Sequence, residues 1–351
     1  MTTHFAEQDF VQSHTPVITS SDCEGAGEVF TVSSNSDQKP AEGKAQTIEH
    51  FFRDPKYLTV SAQLHLEALA QSVGKVWTLS PTFRAERSDT PRHLSEFYML
   101  EAEVAFESDM DRVMDIVEDM LRSVATTLRE AKTVMELFQL ARKRAPEPDS
   151  ENDHEAAVTP EILQQRWEGL RKANWPRITY GQATEELQSA VQDSRAQFEH
   201  PVSYEAGLQA EHERYLAKTF GQGSPVFVTH YPRHQKPFYM TPSTTNGRKT
   251  VECFDLLVPD LCELAGGSMR EHRSKELVEA MRNHGLLKNS GEQPGADDIS
   301  NLQWYIDLRK YGSVPHGGFG LGFDRLISYL SGVPNIRDVV AFPRWYGRCD
   351  A

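Results

Sequence analysis

The sequence contains little cysteine and no long apolar segment, and each shortage excludes a class of protein. Only four of its 351 residues are cysteines, and no two of them have the C-x-x-C spacing of a redox or zinc motif. We therefore expect reduced thiols in an intracellular protein rather than a disulfide-rich secreted scaffold. No apolar run approaches the roughly 20 residues that span a bilayer, so we expect no contact with a membrane.

Basic residues are also scarce relative to acidic ones. Lys and Arg total 37 against 51 Asp and Glu, which gives a formal net charge of −14. Such a charge argues against a broad, sequence-independent grip on nucleic acid, but it leaves room for a local basic groove. With 38% hydrophobic residues, the chain is long enough to bury a full core.

Three familiar motifs of catalytic and nucleotide-binding sites are absent. The glycines of "PHGGFGLGFDRL" (315–326) lack the G-x-G-x-x-G spacing of a dinucleotide site, and no G-K-[ST] of a P-loop occurs. "EHERYL" (211–216) lacks the second histidine of H-E-x-x-H, because Leu216 stands at that position. A dinucleotide fold, a P-loop enzyme and a zinc protease are therefore poor interpretations.

Strand patterns lie towards both ends of the chain, with helical patterns between them. "KVWTLSPTFRAE" (75–86) and "FYMLEAEVAF" (97–106) predict two antiparallel strands joined by a long charged loop. Apolar residues recur with a helical period from Met110 to about Phe138. The acidic, Pro-bearing stretch 144–161 predicts a mobile insertion, followed by helical segments to about residue 220. Later predicted elements are strands at 224–232, 236–242 and 250–259, helices within 269–312 around a polar loop at 288–299, and a glycine-rich strand running into a helix at 317–333. This order predicts one α+β domain with an antiparallel sheet rather than repeated βαβ units.

The charged hairpin separates into two faces when its residues are assigned by strand alternation. The predicted core face comprises Phe83, Ala85, Tyr98, Leu100, Ala102, Val104 and Phe106. The opposite face comprises Arg84, Glu86, Phe97, Met99, Glu101 and Glu103. A solvated face with cross-strand ion pairs is one interpretation, although exposed pairs contribute only ~0–1 kcal/mol each. A ring beside an arginine and inward carboxylates is better suited to a ligand floor, where a base, a phosphate and an ammonium or amide group could bind.

Two further blocks carry residues suited to phosphate chemistry. Asp255 points away from its apolar neighbours on a predicted strand, and Glu263 follows a short way along the chain. Two nearby carboxylates suit Mg²⁺ on a polyphosphate, with a loop acid followed by a bulge as the alternative. The paired glycines Gly266 and Gly267 would let a substrate approach the backbone closely. In the last block, Arg325 projects from the helix that follows a glycine-rich strand on which a ligand could rest.

Together these blocks resemble the catalytic domain of class II aminoacyl-tRNA synthetases, and within them the asparaginyl enzymes of bacterial and organellar type. Residues 1–30 are similar to a truncated motif 1, 80–106 to motif 2 and 315–344 to motif 3. The resemblance implies one catalytic domain over 1–351, with an antiparallel β-sheet flanked by helices and a helical, partly disordered insertion at 108–200. We expect no anticodon-binding OB-fold in this chain, which would then be either a fragment or a catalytic-domain paralogue.

The resemblance also implies which residues bind ATP. Arg84 would contact the α-phosphate and, with Arg325, stabilise the transition state. Phe97 would stack on adenine, and Arg325 would cover its other face and reach the γ-phosphate. The remaining implied ATP contacts are Glu86, Arg92, His93, Glu263 and Gly322, and the implied Mg²⁺ ligands are Asp255 and Glu263.

Four residues are implied at the amino acid. Glu24 and Gln63 would bind its amino group, and Arg270 would bind near its side chain. Glu101 would accept a hydrogen bond from the amide of asparagine and repel the carboxylate of aspartate, by roughly 4 kcal/mol at ~4 Å and an effective dielectric of 20.

The implied activity is asparagine–tRNA ligation, with L-asparagine, ATP and the acceptor end of tRNA(Asn) as partners. A same-fold asparagine synthetase that adenylates aspartate and a non-catalytic binding module are the alternatives. Aspartate–tRNA ligation is disfavoured by Glu101. A complete motif 1 would make the protein a homodimer. We expect the mitochondrial matrix as its location, with the cytoplasm as the alternative.

Overall fold

The computed structural model of the protein describes residues 1–20, 28–34, 50–133, 136, 158–287 and 301–350. Its strands are β1 (Val11–Gln12), β2 (Ile18–Thr19), β3 (Thr31–Val32), β4 (Lys56–Leu58), β5 (Lys75–Phe83), β6 (Glu96–Ala105), β7 (Arg177–Thr179), β8 (Val226–Thr229), β9 (Pro242–Thr245), β10 (Arg248–Val251), β11 (Cys253–Val258), β12 (Cys262–Met269) and β13 (His316–Gly322). Its helices are α1 (Thr2–Glu7), α2 (Gln63–Val73), α3 (Met110–Glu130), α4 (Pro160–Arg171), α5 (Tyr180–Gln192), α6 (Ala210–Gly221), α7 (Ser274–Asn283), α8 (Gln303–Lys310) and α9 (Phe323–Ser331). Within these ranges, no helix combines the length and apolar character that crossing a membrane requires.

An eight-stranded sheet organises the described residues, in the order β1-β5-β6-β13-β12-β11-β8-β7. Neighbouring strands are antiparallel from β5 through to β8, and only the two edges are parallel, β1 with β5 and β7 with β8. A parallel neighbour requires a long crossover, and α5 and α6 provide it between β7 and β8. The predicted α+β architecture with an antiparallel sheet and flanking helices is confirmed, apart from these parallel edges.

Helix α3 follows the predicted apolar period. Met110, Val113, Val117 and Leu121 are all buried in the main core, which lies against one face of the sheet. Asp109 caps the helix by accepting a hydrogen bond from the Asp111 amide at 2.9 Å. The helix ends at Glu130, earlier than the predicted end near Phe138.

The hairpin of β5 and β6 pairs as predicted but differs in detail. β5 ends at Phe83, so the predicted continuation to Glu86 is wrong. Three residues of the predicted apolar face, Leu100, Ala102 and Val104, lie in the main core. The other two on β6 do not, since Tyr98 is 47% and Phe106 78% exposed. Phe106 follows the last strand residue and has a φ of 62°, so strand alternation no longer applies to it.

Phe83 and Ala85 also differ from the prediction, because neither is buried. The strand predicted at 236–242 is wrong as well. A 3₁₀ turn at Arg233–Gln235 precedes this stretch, and only Met240 makes an isolated bridge, to Arg270. Pro237 brings no amide hydrogen to a ladder, and Pro242 belongs to β9 instead, where it pairs with Val251.

Several strands were not predicted from the sequence, among them β3, β4, β7 and β9, and two predicted segments cannot be compared. β7 is only three residues long, and β12 includes the glycines for which a bulge was the alternative interpretation. The polar loop at 288–299 and most of the predicted insertion at 144–161 lie outside the described residues.

The glycines in the centre of the sheet make room for neighbouring protein groups. A Cβ on Gly318 would lie 2.3 Å from the Glu103 carboxylate, and one on Gly267 would lie 2.3 Å from the Phe254 ring. The expectation that Gly267 lets a substrate approach the backbone is therefore wrong, because the Phe254 ring occupies that space.

Candidate active site

One cavity lies between the β5–β6 loop, β12 and the start of α9. It is lined by all the residues that the sequence analysis assigned to ATP, namely Arg84, Glu86, Arg92, His93, Phe97, Glu263, Gly322 and Arg325. Apolar side chains that the sequence did not single out, including Leu94 and Ile336, complete its walls. The structure thus brings the predicted nucleotide contacts from three distant blocks of sequence into one place.

Arg84 and Phe97 form one wall of this cavity. The β5–β6 register places Thr82 opposite Phe97, and the Arg84 amide donates to the Ser95 carbonyl at 3.0 Å. The guanidinium carbon of Arg84 lies 5.5 Å from the centroid of the Phe97 ring. A half-buried ring beside a cation suits a ligand that combines an aromatic base with a phosphate.

Arg325 enters the cavity from the other side. Helix α9 begins at Phe323 directly after β13, so the first helical turn carries Arg325 over the sheet. Its Nη1 donates to the carbonyl oxygen of Glu263 at 3.2 Å. A Cβ on Gly322 would lie 3.4 Å from the Arg325 side chain, which is an ordinary van der Waals contact, so the position of this arginine does not require glycine.

The loop between β5 and β6 is anchored to the C-terminal segment of the chain. The Ile336 amide donates to the Pro91 carbonyl at 3.0 Å, and Arg337 Nη2 donates to Asp89 Oδ1 at 2.9 Å. His93 Nε2 lies 3.7 Å from Glu86 Oε2, and both side chains are about 40% exposed or more. The sequence reasoning missed this anchor, because its partners lie more than 200 positions apart.

Acidic side chains meet where β11 and β12 pair. A Cβ on Gly266 would lie 3.1 Å from Glu263 Oε1 and 3.3 Å from Asp255 Oδ1, so both carboxylates converge on that glycine. Burial and the nearby Asp255 raise the pKa of Glu263, against the opposing effects of Arg325 and Lys236. Lys236 Nζ contacts both Asp255 oxygens, at 3.0 and 2.8 Å.

Lys236 and Glu213 are two residues of this acidic region that the sequence reasoning missed. Glu213 lies on α6, and burial together with Glu263 and Asp255 raises its pKa to about 7. Glu213 lies in the segment 211–216, which we rejected as a zinc motif. The acidic residues of that segment were the only local indication of a functional site. Lys236 lies in the segment that was wrongly predicted as a strand.

Asp255 and Glu263 fit the Mg²⁺ site that the sequence predicted. Among the described residues, no three His, Cys, Asp or Glu side chains form a group that could hold a metal ion by themselves. Mg²⁺ in nucleotide sites needs only one or two carboxylates, since phosphates and water complete its shell. Burial is the main cause of the raised pKa of Glu263 and the neighbouring Asp255 the second, so a cation between the two carboxylates would oppose both effects.

Glu101 and Arg270 are buried deeper in the fold and are not among the residues that line the cavity. Gly320, which lines the cavity, pairs directly with Glu101. Glu101 Oε1 accepts from the Ser61 hydroxyl at 2.5 Å, and Oε2 accepts from the Ala62 amide at 2.8 Å. The residues before α2 therefore already contact the carboxylate that was predicted to bind the asparagine amide.

Arg270 is held by its neighbours in the sheet. Its Nε donates to Glu103 Oε1 at 3.1 Å, and its Nη1 donates to Ser268 Oγ at 2.6 Å. Burial raises the pKa of Glu103 to about 7, although Arg270 acts in the opposite direction. Gln63 begins α2 beside Ala62 and is almost wholly buried, whereas Glu24 lies outside the described residues.

Comparison with known proteins gives one family and a consistent set of relatives. The family described as tRNA synthetases class II (D, K and N) matches residues 1–346. The chain is 42% identical to the mitochondrial asparagine–tRNA ligase of Saccharomyces cerevisiae, over 97% of this chain and 65% of that protein. It is 43% identical to the asparagine–tRNA ligase of Microcystis aeruginosa, over 97% of this chain and 66% of that protein.

The solved structures agree. Asparaginyl-tRNA synthetase from Pyrococcus horikoshii, complexed with asparaginyl-adenylate, is similar with a TM-score of 0.75 and 30% identity, over 98% of this chain and 65% of that one. The chain therefore spans just under two thirds of the length of each of these three relatives.

Proposed function

Because the chain belongs to the class II tRNA synthetases (D, K and N), we propose that it activates L-asparagine with ATP and transfers it to the 3′-hydroxyl of tRNA(Asn). One observation carries this proposal. Gly320 lines the cavity of the predicted ATP contacts, and it is the direct strand partner of buried Glu101, so the two predicted sites are neighbours in the sheet. A nucleotide and a small amino acid could therefore lie end to end along β6.

In the first step, the asparagine α-carboxylate attacks the α-phosphorus of ATP in line. A new phosphorus–oxygen bond forms, the bond to the bridging oxygen breaks, and pyrophosphate leaves with its electron pair. The protein needs no covalent nucleophile, because positioning and positive charge supply the catalysis. Arg84 binds the α-phosphate, where charge develops, and Phe97 beside it stacks on adenine.

Arg325 and the acids act on the outer phosphates. Arg325 covers the free face of adenine and reaches the γ-phosphate, with Arg92 and His93 on the loop above. Asp255 and Glu263 would hold Mg²⁺, which supplies positive charge at the leaving pyrophosphate. Lys236 shares the Asp255 carboxylate and keeps this acidic region partly neutral in the absence of the cation.

The amino acid is selected at the far end of the cavity. Gln63, with Glu24, binds the α-ammonium group, and Arg270 lies at the side-chain oxygen. Glu101 accepts a hydrogen bond from the side-chain NH₂ of asparagine, and it would meet aspartate with a like charge. A site built around a specific donor can discriminate by ~10⁴ or more. In the second step, the tRNA 3′-hydroxyl attacks the carbonyl carbon of the adenylate, and AMP leaves.

The proposal is tested by amino-acid-dependent ATP–pyrophosphate exchange, with asparagine and aspartate measured side by side. We expect exchange with asparagine only. Exchange with aspartate alone would instead support the asparagine synthetase alternative, and exchange with neither would support a binding module. Charging of tRNA(Asn) is measured separately, since the relatives are longer than this chain.

The remaining parts of the proposal concern assembly and location. We propose that residues 1–351 act as a catalytic domain and that a chain with a complete motif 1 would form a homodimer, which sedimentation velocity would test. The mitochondrial matrix is the proposed location, supported by the mitochondrial name of the yeast relative. Bacterial relatives are equally similar, so a predominantly cytoplasmic signal after cell fractionation would contradict it.

A further inference from the structure

A buried polar cluster lies behind Gln63, outside the cavity described above. Its centre is Glu67, one helical turn after Gln63 on α2, and its carboxylate is completely buried. The other members are Tyr305 and Arg309 from α8 and His316 from β13. All three are buried, so the cluster joins α2, α8 and the central sheet without contact with solvent.

The two oxygens of the Glu67 carboxylate have different partners. Oε2 accepts hydrogen bonds from the Tyr305 hydroxyl and from Arg309 Nη2, each at 2.7 Å, and lies 3.1 Å from His316 Nε2. Oε1 accepts from Gln63 Nε2 at 3.1 Å. Three groups thus fix the carboxylate at one oxygen, which leaves the other directed at Gln63.

The charges around Glu67 keep it ionised although it is buried. Burial alone would raise the pKa of this carboxyl, but Arg309, His316 and Arg270 together hold it below its ordinary value. An ionised carboxylate can only accept hydrogen bonds. Glu67 therefore faces the NH₂ end of the Gln63 amide, and the amide oxygen is turned to the other side.

The backbone of Gln63 is also fixed. Its amide donates to Ser61 Oγ at 3.1 Å, and the Ser61 hydroxyl donates to Glu101. Rotation of the side-chain amide is then the main freedom left to Gln63. A half-turn would exchange its NH₂ and its oxygen, two groups of similar size but opposite hydrogen-bonding character.

We propose that Glu67 is a positioning residue for amino-acid binding, which holds the Gln63 amide with its oxygen towards the α-ammonium group. The inference rests on the proposed function, in which Gln63 binds that group. An ammonium group only donates hydrogen bonds, so it requires the amide oxygen and would be opposed by the NH₂. Arg309 and His316 act one step further back, since they hold Glu67 Oε2 even without the Tyr305 hydroxyl.

The test compares two variants with one matched control on the full chain. Glu67→Gln keeps the size of the side chain but can present either end of its own amide to Gln63. Glu67→Asp keeps the negative charge that pairs with Arg309, but its shorter side chain moves the oxygen away from Gln63. This second variant tests the proposal if Glu67→Gln does not fold. The control is Tyr305→Phe, which removes one donor to Oε2 and leaves Oε1 on Gln63.

The probes are L-asparagine, ATP and succinamate, which is asparagine with hydrogen in place of the α-ammonium group. Affinities are measured by calorimetry for asparagine and ATP, and by competition with asparagine for succinamate. We expect both Glu67 variants to bind asparagine roughly 10- to 100-fold more weakly, as loss of a hydrogen bond to a charged group would cause. Their affinities for ATP and succinamate should change by less than about threefold, and so should the affinity of the Tyr305→Phe control for all three ligands.

The outcomes separate this inference from the proposed function. Suppose that the wild-type chain shows asparagine-dependent pyrophosphate exchange, but the Glu67 variants bind asparagine and succinamate more weakly by the same factor. Only the positioning role is then overturned. Unchanged asparagine affinity in a folded Glu67→Asp variant overturns it as well. If the wild-type chain neither binds asparagine nor exchanges with it, the proposed function is wrong and the positioning role falls with it.

Discussion

The cavity predicted for ATP and the buried group predicted for asparagine share β6 and β12, but their charged side chains are paired differently. At the nucleotide end, Arg84, Arg92 and His93 are only partly buried and lie on or beside a loop without regular structure. At the amino-acid end, Glu101 and Arg270 are each 3% exposed and are hydrogen-bonded within the sheet.

This difference follows from what each ligand brings. ATP carries several negative charges, so a site for it can hold cations that the ligand itself completes. Asparagine and aspartate differ by one amide, and discrimination between them depends on polar groups whose positions are already fixed. Buried polar groups that lose a partner are costly, so a fixed network opposes any ligand that does not match it.

The largest expected effect is at the nucleotide end. Arg84→Ala should lower kcat/KM for pyrophosphate exchange roughly 10²- to 10³-fold, because charge on the α-phosphate in the transition state loses its nearest cation. The control is Arg87→Ala, an exposed arginine of the same loop that does not line the cavity. A similar loss in both variants, or a small loss in Arg84→Ala, would contradict the assignment.

The next effect tests the amino-acid end. Glu101→Gln should lower the preference for asparagine over aspartate roughly 10- to 100-fold, because the variant no longer repels a carboxylate and can donate to it. The measurement is the ratio of kcat/KM for the two amino acids in pyrophosphate exchange. Glu96→Gln, on the same strand but partly exposed, is the control and should leave the ratio unchanged. An unaltered ratio in Glu101→Gln would refute the role of Glu101.

A third prediction concerns Glu213, a half-buried acid near Glu263 and Asp255. Its pKa is raised to about 7, so the folded chain keeps this proton between about pH 4.5 and 7 while the unfolded chain loses it. Wild-type stability should therefore fall as pH rises through that window. Glu213→Gln should be more stable than wild type by about 1–3 kcal/mol at pH 8 and nearly equal at pH 5, as measured by urea unfolding.

Glu211, on the same helix, provides a control of opposite sign. The amides of Glu199 and His200 donate to its carboxylate and lower its pKa to about 2. Its stabilising contribution is present above its ordinary pKa and is lost as pH falls through 2, so Glu211→Gln should be less stable than wild type at pH 8. If both substitutions destabilise the protein at that pH, the ionised Glu213 carboxylate does not destabilise the fold and the prediction is contradicted.

The smallest effect is expected at the exposed edge of the cavity. His93→Ala should raise the KM for ATP by no more than about fivefold, because a solvent-exposed contact contributes little. The KM for asparagine should stay constant. A loss approaching that of Arg84→Ala would show that the loop forms a fixed part of the site.

The nucleotide end was predictable because strand patterns placed some of its residues and the family resemblance implied the rest. Strand alternation placed Arg84 and Phe97 on one face, and the structure puts them side by side. The same reasoning failed at Phe106, where the strand had already ended, and at 236–241, which follows a 3₁₀ turn and contains Pro237. It also gave β12 no bounds of its own, because glycines that suit close packing in the sheet suit a bulge or loop equally well.

The support of the amino-acid end could not be predicted, because its partners are far apart in the chain. Glu67 and Arg309 are separated by 242 positions, and nothing near either residue indicates the pairing. Lys236 and Asp255 are only 19 positions apart, but no local sequence pattern links them. Alternation predicts which face a side chain occupies, but it does not predict which side chains from other elements meet it there.

The central claim is that the amino-acid end is formed before any ligand binds, whereas the nucleotide end is completed by its ligand. Amide hydrogen exchange of the full chain tests it directly. Without ligand, amides of 61–67 and 99–105 should be protected and those of 85–94 should exchange fast. A non-hydrolysable ATP analogue should slow exchange in 85–94 by about tenfold or more, and asparagine should change 61–67 little. Fast exchange in 61–67 that only asparagine slows would contradict the claim.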